Sequence, residues 1–159
     1  HGAFGNPVML GEINAQYSHQ AWNIRAIVTS VSIPNALNIN KAYANNTPKS
    51  AYGGYLEGAY DLFWAKHQGA KSCWLFGRYE YMDLSAKMPS VGLPNPANRQ
   101  QYIVGGITFK PIRGIAVKAD WVQRITGTPN PDLVITPFPQ QVPYYTSNGF
   151  FNLGIAYNF

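Results

Sequence analysis

Apolar and polar residues alternate with period two in seven stretches, roughly 8–18, 20–33, 50–64, 72–84, 100–110, 114–126 and 148–159, each bounded by turn-forming residues. Period two is the spacing of a half-buried strand, because successive side chains leave a strand on opposite faces. The last stretch sets Phe151, Leu153, Ile155, Tyr157 and Phe159 against Asn152, Gly154, Ala156 and Asn158. The stretch before it sets Ile115, Val117, Ala119 and Trp121 against Lys118, Asp120 and Arg124. The same division puts Cys73, Leu75, Tyr79 and Tyr81 opposite Arg78 and Glu80. It puts Tyr52, Leu56 and Tyr60 opposite Glu57 and Asp61, Trp22, Ile24, Ala26 and Val28 opposite Asn23 and Arg25, and Ile13, Ala15 and Tyr17 opposite Glu12, Asn14 and Gln16. Each stretch predicts one apolar and one polar face.

The links between these strands alternate in length. Short ones fall near 18–20, 65–71 and 111–114, and long ones rich in Pro, Asn and Ser span 34–49, 85–99 and 127–147. Outer-membrane barrels combine short periplasmic turns with longer extracellular loops, so the alternation predicts an all-β, antiparallel transmembrane β-barrel whose last strand ends at the periplasm. Seven strands are odd and too few to close a bacterial barrel. Residues 1–159 are therefore expected to form the C-terminal part of a single barrel domain whose upstream strands are missing from this chain or are supplied by another. A soluble β-sandwich also alternates, but its stripe faces a dry core. Here Tyr17, Trp22, Tyr60, Trp64 and Tyr157 stand at the strand ends, where a membrane interface accommodates hydroxyl and indole groups as an aromatic girdle.

Composition narrows the classes further. Aromatic residues make up 14% of the chain, with 11 Tyr and 4 Trp, while charged residues make up only 12%, about half the share usual in soluble domains. No apolar run approaches the length of a membrane-spanning helix. The start HGAFGNPVMLGE has neither the basic start nor the apolar stretch of a signal peptide, so for an exported chain the true N-terminus is expected to lie elsewhere. The net charge of +5 comes from Lys and Arg scattered singly, a pattern that argues against a nucleic-acid partner. Cys73 is the single cysteine, which leaves it the role of a small hydrophobe in a strand.

The C-terminal Phe159, with Tyr157, Ile155 and Leu153 at alternate positions before it, looks like the signal read by the outer-membrane assembly machinery. The series YGGYLEGAYDLFW (52–64), LFGRYEYMD (75–83) and ITFKPIRGIAVKADWVQR (107–124) resembles the C-terminal region of the phosphate-selective porin O and P family and related porin-like proteins of Gram-negative bacteria, Bacteroidetes included. That resemblance implies a barrel of roughly 16 strands, the size that leaves an aqueous channel.

The candidate functional residues are the strand charges expected to line that channel: Glu12, Arg25, Glu57, Asp61, Arg78, Glu80, Lys118, Asp120 and Arg124, with Lys110 beside them. Five cations face five anions, so the wall carries no net sign. Hairpin neighbours should align Arg25, then Asp61 or Glu57, then Arg78 in a row of alternating charge. His19 and His67 lie in short turns without a second ligand at metal spacing, and no Ser-His pair with an orienting group falls at one height, so neither metal, cofactor nor catalysis is expected. Residues 35–44 are expected to form a short helix, and five prolines stiffen 127–147.

The functional expectation is passive diffusion of small polar solutes or ions, anions among them, across the outer membrane of a Gram-negative bacterium. A structural barrel that holds partners in a larger envelope complex is the alternative. The expected surroundings are outer-membrane lipid, the barrel assembly machinery, and either further copies of the chain or other envelope proteins.

Overall fold

The computed structural model describes residues 5–43, 45–66, 71–133 and 145–158. His1, His67, Phe159 and the centre of the proline-rich connection lie outside them. The seven strands are β1 (Met9–His19), β2 (Trp22–Ser32), β3 (Ser50–Asp61), β4 (Ser72–Lys87), β5 (Arg99–Ile112), β6 (Ile115–Thr126) and β7 (Ser147–Tyr157). They form one antiparallel sheet in chain order. Each strand therefore pairs with its neighbours in sequence, and β1 and β7 are the two edges of the sheet. The sheet does not close on itself.

Two of the turns are as tight as a hairpin allows. Gln20 and Ala21 join β1 to β2, with Gln20 at φ 52°, and Arg113 and Gly114 join β5 to β6, with Gly114 at φ +87°. A positive φ costs an L-residue through crowding at Cβ. At Gly114 an added Cβ would also lie 2.5 Å from the Asn158 carbonyl oxygen, so glycine is required there on two counts.

β3 stops at Asp61, three residues before the end expected from the pattern. The Asp61 carboxylate accepts hydrogen bonds from the backbone N–H groups of Phe63, at 3.0 Å, and Cys73, at 3.1 Å, and so turns the chain into a 3-10 turn at Trp64–Lys66. β4 runs on to Lys87 because Ser50 still pairs with it there, past an irregularity in the register between Ser50 and Tyr52.

The long connections all lie at one end of the sheet. The helix α1 (Ala36–Tyr43) forms in the first of them, where the pattern predicts it. Asn40 closes this connection on itself, donating to the Thr47 carbonyl and accepting from the Thr47 N–H. Asn46 then reaches the second connection, accepting from the Leu93 N–H and donating to the Leu93 carbonyl, both at 2.9 Å. Asn130, in the third connection, donates its backbone N–H to Asn95 and its side-chain amide to the Pro94 carbonyl. Asn35 donates to Asn6, ahead of β1.

Nothing described covers either face of the sheet. Among the described residues the buried hydrophobic ones are Ala21, Ala36, Cys73 and Val104, and no large side chain is fully buried. The accessible surface is 11420 Å² for a 17.6 kDa chain, against about 7,900 Å² expected of a compact globular protein of that mass. Ile13, Leu56, Ile103, Trp121 and Leu153 are each more than half exposed.

The two turns give a paired expectation. Gln20→Gly should raise stability by up to about 1 kcal/mol and Gly114→Ala should lower it by about 1–2 kcal/mol or more. Urea unfolding midpoints of the two variants check this, and a shift in the same direction for both would refute the turn assignment.

Candidate functional site on the charged face

Strand register decides which side chains share a face. One face carries the row Trp22, Tyr60, Leu75, Ile107, Ala119 and Leu153, and beside it the row Ala26, Leu56, Tyr79 and Ile103. Aromatic pairs mark its two ends. Trp22 meets Tyr60 edge-on at 4.8 Å near the short turns, and Tyr52 meets Tyr81 at 6.0 Å near the long connections.

Asp83 and Arg99, 3.3 Å apart, stand on this face beside Tyr52 and Tyr81, and the opposite face holds most of the other strand charges. Its central row runs Gln16, Arg25, Glu57, Arg78, Val104, Val122 and Phe150. Of the two carboxylates that the sequence offers between the arginines, Glu57 occupies the row. Asp61 lies four residues along β3, in line with Trp74, Thr108 and Lys118, and its carboxylate is engaged by the turn.

Arg78 is the centre of the network. Its Nη1 lies 3.8 Å from Glu57, its Nε lies 2.8 Å from Glu80, and its guanidinium sits 5.4 Å from the centre of the Tyr55 ring. The Nε–H makes no aligned hydrogen bond in spite of the short distance, so the contact with Glu80 is an electrostatic one. Lys118 lies 3.1 Å from Asp120 and 4.8 Å from the centre of the Phe76 ring, while Asn152 donates to Asp120 at 3.0 Å. Arg124 donates to Asn148 at 3.2 Å on β7. Glu12 accepts from Asn14 on the exposed edge strand β1. Among the described residues, neither Arg25 nor Lys110 makes an ion pair.

Apolar side chains also occupy this face, and charge patterning alone does not reveal them. Toward the long connections, Ile27, Val31, Tyr55, Met82 and Leu84 line a concavity of about 330 Å³ with Thr29 and Glu80. Toward the short turns, Trp74 and Phe76 line a second of about 360 Å³ with Arg25, Glu57, Lys110 and Lys118. The available signal was the run Cys73–Phe76, which is apolar at both parities where a strand with one wet face should alternate. The described residues contain no group of His, Cys, Asp and Glu able to hold a metal ion.

No protein-family profile matches the chain, and no solved structure matches it. It is similar to an uncharacterized protein of Aquifex aeolicus, 29% identical over 118 residues, a match that covers 67% of this chain. The matched part spans 26% of that protein's length.

The role of Asp61 in the turn is open to direct measurement. Asp61→Ala leaves two backbone N–H groups without their acceptor and should cost about 1–3 kcal/mol, whereas Asp61→Asn keeps an acceptor oxygen and should retain most of the stability. Equal losses in the two variants, read from unfolding midpoints, would show that the carboxylate acts through its charge instead.

Proposed function

We propose that this chain forms part of an outer-membrane β-barrel that lets small polar solutes or ions diffuse passively through a water-filled lumen. One observation carries the reading: a single-layer sheet with one largely apolar face left uncovered, whose Asp83–Arg99 pair stands at its end by the long connections, and most of the strand charges gathered on the other. In water that apolar face would favour association or collapse. Against lipid tails it is already in its preferred solvent, and the charged face then meets water inside the barrel.

Strand length supports the same conclusion. A tilted strand needs about 9–11 residues to cross the hydrocarbon core, and the seven strands run from 11 to 16 residues. Closure would require additional strands to pair with β1 and β7, because an open edge within lipid leaves backbone N–H and C=O groups unsatisfied. The aromatic pairs at the two ends of the apolar face fit the two membrane interfaces, with the short turns periplasmic and the laced connections extracellular. The similarity of the terminal residues to an assembly signal extends this reading to the barrel assembly machinery, with Tyr157 and Ile155 on the lipid side.

On this reading Glu57, Arg78, Glu80, Lys118 and Asp120 are wall charges that largely compensate one another, and Arg25, Lys110 and Arg124 stand against Glu12 and Asp61, so the wall is balanced as a whole and its sign varies locally. The direct test is conductance of the full-length protein in planar bilayers. Open-channel current is expected, and its absence together with stably co-purifying proteins would favour the structural-subunit alternative. Replacing Lys118 and Arg124 with neutral residues should move the reversal potential in a salt gradient toward cation preference; an unmoved potential would reduce those two charges to internal lacing of the wall.

A second expectation tests which face meets lipid. Arg at Ile24, Leu56, Leu75 or Val117 should cost about 2–4 kcal/mol where the site lies near the bilayer midplane, and Arg at Asn14 or Asn23 far less. Folding titrations into lipid vesicles measure the difference, and equal costs on both faces would reverse the conclusion.

A further inference from the structure

We propose that the concavity between Arg25, Trp74, Phe76, Lys110 and Lys118 is a binding site for a small carboxylate with a planar apolar body, an aromatic carboxylate of phenylpropionate type. The proposal rests on the reading of the charged face as the wall of an aqueous lumen.

A wall that only passes water and ions has no use for an indole and a phenyl ring, since lumen positions are ordinarily polar. Trp74 and Phe76 stand two residues apart on β4, on the same face, and both line a concavity of about 360 Å³. Aromatic surfaces of this kind favour a flat apolar group stacked or set edge-on against them.

The charges fix the sign of the occupant. Three cations, Arg25, Lys110 and Lys118, line the space with a single carboxylate, Glu57. Glu57 is offset by Arg78 at 3.8 Å, and Lys118 is held by Asp120 at 3.1 Å and by the Phe76 ring. Arg25 and Lys110 are thus the cations with no ion pair among the described residues. Charge-assisted hydrogen bonds from such groups to a carboxylate are short and strong. An aromatic cation fits poorly, because Lys118 already occupies the favourable position over Phe76. Asn23 and Thr108 supply neutral donors at the same lining.

The test is equilibrium binding of 3-phenylpropionate to the full-length protein folded in detergent micelles, with acetate and phenethylammonium as comparison ligands. 3-Phenylpropionate should bind at least about tenfold more tightly than either. The double variant Arg25→Gln, Lys110→Gln and the single variant Trp74→Ala should each weaken it by about tenfold, while Trp74→Phe retains most of the affinity. Circular dichroism of each variant guards against loss of folding, and the double variant Arg25→Gln, Lys110→Gln decides the matter should Trp74→Ala fail to fold. Equal binding of acetate would reduce the site to a general anion site. Equal binding of phenethylammonium, or affinity unchanged in the variants, would mean partition into the micelle; any of these overturns the proposal. Because binding in micelles requires no conduction, a protein that binds 3-phenylpropionate without passing current would keep the site and lose the channel, and the reverse result would lose the site alone.

Discussion

The governing constraint is that a single β-sheet has two faces, and this one covers neither. Strand pairing satisfies the backbone laterally, from β1 through to β7, but it buries almost no side chain. Stability in a soluble sandwich comes from a second layer set about 10 Å away across an apolar core. Here the hydrophobic residues stay exposed, and the chain shows more surface than its mass should. Whatever covers the two faces must therefore lie outside these residues, and the proposed barrel answers that with an apolar medium on one side, water on the other, and strands at both edges.

That constraint explains why the fold is so legible in the sequence. Without a second layer there is no tertiary packing to override the period-two signal, so all seven strands appear where alternation places them, and the helix at Ala36–Tyr43 appears as well. The row through Arg25, Glu57 and Arg78 follows from hairpin neighbours and parity alone. Less was legible at the ends. The stop of β3 at Asp61 depends on one carboxylate reaching the N–H groups of Phe63 and Cys73 across the turn, and strand periodicity carries no trace of such a bond.

The site was only half legible, for a related reason. Charged residues announce their face, so Arg78, Glu80, Lys118 and Asp120 could be assigned to one wall by parity. Trp74, Phe76, Ile27 and Met82 share that face by the same parity, but no charge marks them, and an apolar run such as Cys73–Phe76 does not announce which of its residues stand beside the charges. The asparagine contacts between the long connections were equally hidden, since Asn is common in any loop and its partners Leu93 and Pro94 contribute only backbone atoms.

Taken along the strands, the charged face is graded rather than uniform. Near the laced connections it is largely apolar, lined by Ile27, Val31, Met82 and Leu84. At mid-height Arg25, Glu57 and Arg78 share one row, with Glu80 against Arg78, so two cations meet two carboxylates. Nearer the short turns come Trp74, Phe76 and the cations Lys110 and Lys118. The order follows from where charges find partners. At the belt, Glu57 and Glu80 flank Arg78, whereas Asp61, in line with Lys118 through Trp74 and Thr108, is held in place by the N–H groups of Phe63 and Cys73. The bonds that end β3 thus also fix where that carboxylate's charge stands relative to the cations beside it, and the geometry of a turn becomes a term in the electrostatics of the charged face.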